Sequence, residues 1–263
     1  LTEAKVTFEG NKYEAIPASN LLIGLSFDEG AEATTQLTAA GKNLVATLET
    51  GPSEIFGANT GKPTFVDGKK GKAIHFTQGS HLEIAQYARA DFEGKELSIA
   101  VWVKPDETRE NNHIISYNSW HSWKFNLQSQ NKPFFTVSTD GGAVDADDEG
   151  NGVPNGSWTH LVVALNLTAK TLDLYTNGLL VKHWTSEDKP NLQGTIAPNE
   201  GAWPLTIGTF YSFNGAVNGD WDGWANATPE EWNSYFVGAI DELKVYNTAL
   251  TEGQVSGLYN SEN

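Results

Sequence analysis

The sequence predicts an all-β fold in which two antiparallel sheets stack face to face, and three observations lead to that prediction. Short apolar or alternating runs recur along the 263 residues, separated by clusters of Gly, Asn, Asp and Pro. Helical periodicity is scarce, and strands do not alternate with helices. Aromatic residues make up 11% of the chain, including 9 Trp, which suits a large core. Roughly a dozen strands follow from these runs, as two stacked sheets require.

The first half of the chain supplies most of the strands. In the first run, LLIGLSF, four apolar side chains would share one face: Leu21, Ile23, Leu25 and Phe27. The run KAIHFTQGSHLEIA alternates on both sides of a turn at Gly79 and Ser80. LSIAVWVKP then ends at Pro105, where a strand ladder loses a donor. Three further runs of strand length are HIISYNS, WKFNLQS and PFFTVST.

The strongest hairpin signal lies in the middle of the chain. HLVVAL is apolar on both faces, so this strand should lie between two covered surfaces. TLDLYT alternates, and Asn177 with Gly178 then supplies the positive φ angles of a type I′ turn before LLVKHW runs back. LTIGTF and FVGAIDELKVY are predicted to be the last two strands.

One helix and one unpatterned arm complete the predicted domain. Thr251 and Gln254 form a capping box near the end of the chain, and Val255 and Leu258 would pack inward from that helix. Residues 1–20 are less patterned and are predicted to be an arm or an upstream strand. A single β-sandwich domain is predicted over residues 21–263, because no repeat or linker-like boundary interrupts them.

Two stretches break the strand rhythm. Residues 140–157 are Gly, Asp and Asn with little to bury, and they are predicted to be a loop whose acidic run DADDEG is solvated. Residues 211–235 form a second predicted loop, which is rich in aromatic side chains. Long loops inside a compact domain are more often functional than not.

Composition excludes several kinds of partner and site. The formal net charge of −16 repels phosphate backbones and anionic membrane surfaces, so no nucleic-acid partner is expected. No apolar run approaches the ~20 residues of a membrane span, so no membrane insertion is expected. The chain has no Cys, which excludes disulfides and thiolate metal sites, and no Met, so it is expected to be a mature fragment or a piece of a longer chain.

Five segments together resemble a known family. They are LIGLSFDEG, KAIHFTQGSHLEI, LSIAVWVKP, GSWTHLVVALNLTAKTLDLYTNGLLV and FVGAIDELKVYNTALTEGQVSGLYN, which look like the laminin-G-like, concanavalin A-like domains. The branch shared with pentraxins and found in secreted bacterial proteins is the most similar. The resemblance covers about residues 20–260 and implies a two-sheet jelly roll that binds glycan or protein. It also implies an extracellular or cell-surface location, with an anchor in a missing upstream segment as one option.

The resemblance further implies a structural Ca²⁺ held by Asp28 and Asp241. Strand alternation would place Asp241 on the same face as Leu243 and Val245, where a bare carboxylate is costly to bury. Either a cation or hydrogen bonds from backbone N–H groups would satisfy it, and the sequence leaves both open. Residues 35–46 lack the acid that related chains carry there, so carbonyls near Gly41 and Asn43 would have to complete a calcium shell.

Two predicted aromatic loops indicate where a ligand would bind, NSWHSW at 118–123 and the loop at 211–235. Sugar rings stack on Trp and Tyr, while their hydroxyl groups seek Asn, Asp and Gln. The predicted ligand-binding residues are Trp120, Trp123, Tyr211, Phe213, Trp221, Trp224 and Trp232. The competing interpretation is that these loops fold over the sandwich and bury their own rings.

Catalytic motifs are not found in the sequence. No paired-carboxylate strand of the glucanase type, nucleophile elbow or zinc-binding helix is present. The sequence therefore favours a non-catalytic carbohydrate-binding module of a secreted or cell-surface bacterial protein. A glycoside hydrolase or lyase on the same scaffold and a protein-binding adhesion module remain the alternatives.

Overall fold

The computed structural model describes residues 14–58, 60–147, 150, 152–201, 203–210 and 235–263, with only the backbone at positions 54, 55 and 120. Within these residues the chain forms sixteen strands: β1 (Leu21–Leu25), β2 (Gln36–Gly41), β3 (Leu44–Glu49), β4 (Thr64–Asp67), β5 (Lys72–Phe76), β6 (His81–Ile84), β7 (Glu96–Pro105), β8 (Asn111–Tyr117), β9 (Trp123–Gln128), β10 (Lys132–Thr139), β11 (Gly142–Asp147), β12 (Thr159–Asn166), β13 (Thr171–Thr176), β14 (Leu179–Thr185), β15 (Leu205–Ile207) and β16 (Gly238–Tyr246). The helices of the described part are α1 (Ser53–Phe56) and α2 (Glu252–Glu262).

The strands form the predicted antiparallel β-sandwich. The first sheet has the order β14-β13-β12-β7-β16-β1, and β5 also pairs with β16 and carries β4. The second sheet has the order β11-β10-β9-β8-β15-β6-β3-β2. A short ladder between β1 and β2 links the two sheets, at Ile23 with Gly41 and at Gly24 with Ala40. The turn at Gly79 and Ser80 carries the chain from β5 in one sheet to β6 in the other.

The main core lies between the two sheets. Alternate residues of β12, Leu161, Val163 and Leu165, point into it and meet aromatic rings of the second sheet such as Phe125 and Phe135. Burial at this scale is the main stabilising term of the fold.

A second, smaller apolar cluster covers the outer face of the first sheet. Val162 and Ala164 of β12 belong to it, and Val255 of α2 packs against them with Leu258 half-buried beside it. HLVVAL is therefore covered on both faces, as the sequence predicted. The capping box of α2 is also present, with Thr251 accepting from the Gln254 N–H and Gln254 accepting in return from the Thr251 N–H.

The segment before β1 lies along α2. The Thr251 hydroxyl donates to Glu14 Oε2 at 2.6 Å, and the Gln254 amide donates to the Ala15 carbonyl at 3.2 Å. Ile16 packs on the second cluster. Residues 1–13, the rest of the predicted arm, lie outside the described residues.

Two details of the predicted strands were wrong. The stretch 140–157 is not a continuous loop, because β11 occupies part of it, with Val144 and Ala146 facing the core and Asp145 facing outward. A bulge in β16 between Asp241 and Lys244 breaks the alternation on which the second prediction depended. Asp241 therefore faces away from the core that contains Leu243.

Candidate functional site

The predicted metal ligands Asp28 and Asp241 meet at the turn that joins β4 to β5. The backbone N–H of Lys70 donates to Asp241 Oδ2 at 3.0 Å, and the N–H of Lys72 donates to Asp28 Oδ1 at 2.9 Å. The turn approaches the carboxylates so closely that a Cβ at Gly71 would lie 1.9 Å from Asp28 Oδ1. The structure thus brings together two acids that are 213 positions apart in the chain.

Within the described part of the chain, Asp241 is a buried carboxylate without a cationic partner. Its side chain is fully buried, and Oδ1 accepts the N–H of Glu242 at 2.8 Å within the bulge, where Glu242 has φ 48°. Burial raises the pKa of Asp241 to about 6, and hydrogen bonds from the N–H groups of Lys70 and Glu242 offset part of that rise. Both oxygens are hydrogen-bonded, yet the charge itself is not neutralised by any Lys or Arg side chain among the described residues.

The oxygen atoms at this turn are the kind of ligand that a hard cation prefers, but the side chains that supply them are few. Ca²⁺ takes 6–8 oxygen ligands, and carboxylates are the strongest that a protein supplies. Within the described residues no group of three or more His, Cys, Asp or Glu side chains surrounds a common point. Asp28 and Asp241 would therefore need backbone carbonyls and water to complete a calcium shell.

A second polar feature runs across the outer face of the second sheet. Strand register aligns one outward-facing side chain from each of six neighbouring strands, and we name this set the polar row: Asp145, Thr136, Lys124, Ser116, Thr206 and Glu83. The row is buried at its centre, where Ser116 and Thr206 are each 1% exposed, and it is exposed at Asp145. Polar side chains that are buried this deeply normally form hydrogen bonds.

Two side chains at the centre of the polar row form hydrogen bonds to bends of the chain. The Ser119 N–H donates to Ser116 Oγ at 2.9 Å, which anchors the 3-10 turn Ser119–His121. The Thr206 hydroxyl donates to the Thr209 carbonyl at 2.9 Å, which anchors the bend that leads to position 210. These two bends are the places where the two predicted aromatic loops meet the sheet.

Both ends of the second loop are fixed at this face. Thr209 and Tyr235 form an isolated β-bridge that closes the loop at its base. The Phe210 ring stands edge-on to His113 with centroids 4.9 Å apart. On the other side, the Arg109 guanidinium lies 4.1 Å from the centroid of the Tyr235 ring, which suits a cation–π contact.

The predicted ligand-binding residues have different outcomes. Trp123 lies at the start of β9, is fully buried, and stacks on Tyr117 with centroids 5.4 Å apart, so the prediction that this ring is available to a ligand is wrong. The reason is that strand β9 begins at Trp123 itself and turns that side chain into the core. Trp120 is described by its backbone alone. The remaining predicted residues lie outside the described part of the chain: Tyr211, Phe213, Trp221, Trp224 and Trp232.

Sequence reasoning missed a cationic position in the polar row. Lys124 is 7% exposed, and its ammonium donates to Asn126 Oδ1 at 3.0 Å and lies 4.7 Å from the centroid of the Phe134 ring. Burial lowers the pKa of Lys124 to about 8, and Asp145 opposes that change. His113 on β8 is also buried, which holds its pKa well below the ordinary range, and the Lys124 charge acts in the same direction.

The signal that would have located these side chains is local alternation. WKFNLQ places Lys124 and Asn126 on one face of a strand and the apolar Phe125 and Leu127 on the other. What alternation does not reveal is which strands lie next to β9, and therefore which other side chains complete the face.

Comparison with known proteins gives one family and a set of similar folds. A sequence profile described as the concanavalin A-like lectin/glucanases superfamily, of the laminin G type, matches residues 76–256, more than half of the chain. No curated protein sequence matches. In the described part of the chain, no helix is both long and apolar enough to cross a membrane.

Three solved structures illustrate the similarity of fold. Domain 4 of AbnA, a GH43 extracellular arabinanase from Geobacillus stearothermophilus, is 20% identical, with a TM-score of 0.60, and the match covers 91% of this chain and 98% of that one. The binding domain of Paraclostridial Mosquitocidal Protein 1 is 18% identical, with a TM-score of 0.63 and coverage of 93% and 52%. Botulinum neurotoxin type C is 12% identical, with a TM-score of 0.59 and coverage of 94% and 52%.

The chain thus spans nearly all of the arabinanase domain and about half of the two toxin chains. At these identities the structural similarity establishes the fold alone. The profile match is the stronger finding, because it extends from the end of β5 into α2 and includes most strands of both sheets. The chain belongs to the concanavalin A-like lectin/glucanases superfamily.

Proposed function

We propose that this domain binds carbohydrate without cleaving it, at the outer face of the second sheet. The observation that supports this proposal is the convergence of three features on that face: the polar row, the turn Ser119–His121 and the base of the loop between Thr209 and Tyr235. A carbohydrate site needs a few well-placed polar groups beside apolar or aromatic surface. Here Phe134 is half-buried on the same face as Thr136 and Asp145, next to the open edge at β11.

The ligands of similar folds support the same class of partner. The arabinanase domain was solved in complex with arabinotriose, and cell entry of botulinum neurotoxin type C depends on two ganglioside molecules. Both are glycan-containing ligands. Those relatives are also extracellular or cell-directed proteins, which supports our further proposal that this chain works outside the cell or at its surface.

The test is a glycan array followed by titration of the best ligand. We expect Phe134→Ala to weaken binding at least tenfold, because the aromatic surface beside the polar row is lost. Trp221→Ala and Trp224→Ala should weaken binding if the loop contributes to the site as the sequence predicts. Leu179→Ala serves as the matched control, since Leu179 is an exposed apolar residue on the other sheet. An array without binders, or equal affinities for all four variants, would contradict the proposal.

We also propose that Asp28 and Asp241 hold a Ca²⁺ ion that braces the turn between β4 and β5. A divalent cation would neutralise Asp241, which is buried without a positive partner among the described residues. Millimolar Ca²⁺ should raise the Tm of the wild-type protein above its value in EDTA by several degrees, and it should leave Asp241→Asn unchanged. An identical Tm in EDTA and in Ca²⁺ would contradict a structural Ca²⁺ ion at this turn. The hydrogen bonds from backbone N–H groups would then be the interactions that satisfy Asp241.

The enzyme alternative has one observation in its favour. Asp145 and Asp147 point to the same side of β11, with Cα atoms about 7 Å apart, and glycosidase carboxyl pairs are about 5–10 Å apart. The other acid of the polar row, Glu83, is five strands from Asp145, or about 24 Å, and cannot pair with it. Release of reducing ends from a bound polysaccharide, abolished by Asp145→Asn, would establish this alternative.

The adhesion alternative also has a structural basis. Leu179, Leu180 and Val181 are 69%, 42% and 40% exposed at the start of the edge strand β14. Exposed apolar residues beside an unpaired strand edge are typical of protein contacts. This alternative predicts that Leu179→Asp abolishes binding of a protein partner while the glycan array shows no ligand.

A further inference from the structure

The centre of the outer face of the second sheet contains buried polar atoms without a hydrogen-bond partner in the described part of the structure. Among the described residues, His113 Nδ1 and Nε2, Ser119 Oγ and Thr209 Oγ1 are buried and make no hydrogen bond. Ser119 and Thr209 lie on the two bends that the polar row holds, and His113 pairs in register with Asn126. A buried polar atom without a partner costs about 1–3 kcal/mol, so such a concentration calls for a bound group.

Lys124 adds a positive charge to this set. Its ammonium has three donors, and its one direct acceptor in the described structure is the neutral Oδ1 of Asn126. Asp145, two strands away, attracts it without forming an ion pair within 4.0 Å. A buried cation without a contacting anion is costly, and the cost falls if an anion binds. We name His113, Ser119, Lys124 and Thr209 the donor-rich centre.

We propose that the donor-rich centre binds a singly charged anionic group of a sugar, either a carboxylate or a sulfate ester. This inference rests on the proposed carbohydrate-binding function and specifies the class of glycan. The ammonium of Lys124 would supply the counter-charge, while the hydroxyl groups and one imidazole N–H would donate to the remaining oxygens. A neutral sugar would satisfy the hydroxyl groups but would leave Lys124 without an anion.

A ligand would approach the centre from the side of the edge strand β11, where the polar row is most exposed. Phe134 is half-buried and Asp145 is exposed there, whereas Lys124 of the polar row and the neighbouring His113 are buried. The Phe134 ring is placed to support a sugar whose charged substituent reaches Lys124. The protein as a whole carries a formal charge of −16, so its long-range field repels anions. Any preference for acidic sugars must therefore come from short-range contacts at this centre.

The pH dependence of binding provides a readout in the wild-type protein. Burial lowers the pKa of Lys124 to about 8, so its positive charge is largely present at pH 7 and largely lost at pH 9. The other titratable groups that act on it are His113 on β8, whose pKa lies well below its ordinary range, and Asp145 on β11. Affinity for an acidic sugar should therefore fall several-fold between pH 7 and pH 9, while affinity for a neutral sugar should not.

The experiment uses an array of paired oligosaccharides, each acidic member beside its neutral counterpart. One arm compares uronic acid oligosaccharides with their carboxyl-reduced forms, and a second arm compares sulfated oligosaccharides with their desulfated forms. Each pair is titrated into the wild-type protein, Lys124→Met and Lys124→Arg. Lys182→Met is the matched control, because it removes the same charge from β14 on the other sheet.

The expected result is that the acidic member of at least one arm binds ten-fold or more tightly than its neutral counterpart. Lys124→Met should abolish this preference, whereas Lys124→Arg and Lys182→Met should retain it. Equal binding of acidic and neutral members would overturn this inference and leave the proposed glycan binding intact. Absence of binding to every oligosaccharide would overturn both. If Lys124→Met fails to fold, a flat pH profile for the wild-type protein would still refute the role of Lys124.

Discussion

Replacing Asp241 with Asn should change how the stability of the metal-free protein depends on pH. The pKa of Asp241 is about 6 in the folded protein and 3.8 in an unperturbed side chain. The folded state therefore binds the proton more tightly, and stability falls as pH rises from below 3.8 to above 6. A shift of about 2 units corresponds to about 3 kcal/mol of unfolding free energy lost across that window. Asn does not titrate, so this loss should be absent from Asp241→Asn.

The assay is urea unfolding in EDTA, followed by tryptophan fluorescence at pH 4.0 and pH 7.5. Because the unfolded carboxyl is already more than half ionised at pH 4.0, most but not all of that loss falls between the two pH values. The unfolding free energy of Asp241→Asn relative to the wild-type protein should therefore rise by about 2–2.5 kcal/mol from pH 4.0 to pH 7.5. Asp67→Asn is the matched change of an exposed acid on the same hairpin. A free-energy difference that stays constant within about 0.5 kcal/mol between the two pH values would show that burial does not raise the pKa of Asp241.

Three further predictions concern the rest of the fold. Phe125→Ala should cost about 3–5 kcal/mol in urea unfolding, because the ring is fully buried between the sheets, and a cost below about 1 kcal/mol would contradict this packing. Glu262→Ala should cost about 2–3 kcal/mol, because Glu262 accepts from Trp102 Nε1 at 2.9 Å and from Lys244 Nζ at 2.6 Å, and an unchanged midpoint would show that these bonds do not anchor α2. Gly178→Ala should lower stability by about 1–2 kcal/mol, because Gly178 has φ 78°, and equal thermal stability would exclude the left-handed turn.

Most of the fold was predictable because its signals are local. The apolar character of both faces of HLVVAL follows from the sequence and needs no knowledge of neighbouring strands, and β12 is covered on both sides. The turn at Asn177 and Gly178 has φ angles of 50° and 78°, as its dipeptide predicts. The capping box of α2 likewise depends on side chains three positions apart.

The errors arose where a single residue changes the register or the boundary of a strand. The bulge in β16 moves Asp241 to the opposite face from the one that alternation predicts, and alternation cannot reveal a bulge. Trp123 belongs both to the aromatic stretch NSWHSW and to the strand run WKFNLQS, and the sequence does not reveal that β9 begins at this residue and directs its ring into the core. The short alternation around Val144 was hidden by the surrounding Gly and Asp residues.

The two candidate sites also depend on features that local sequence patterns do not reveal. The juxtaposition of Asp28 and Asp241 was anticipated through resemblance to a family, because their meeting depends on β5 pairing with β16. The polar row depends on the order of six strands that come from distant parts of the chain, from Glu83 to Thr206. Register between such strands is a tertiary property, and local sequence patterns do not specify it.

The most direct test of glycan binding at the outer face of the second sheet is a titration of the best glycan from the array into the wild-type protein and Phe134→Ala. We expect Phe134→Ala to lose at least tenfold in affinity, Leu179→Ala on the opposite sheet to retain the wild-type affinity, and the glycan to be recovered intact after incubation. Equal affinity for Phe134→Ala and the wild-type protein would contradict a binding site on the outer face of the second sheet.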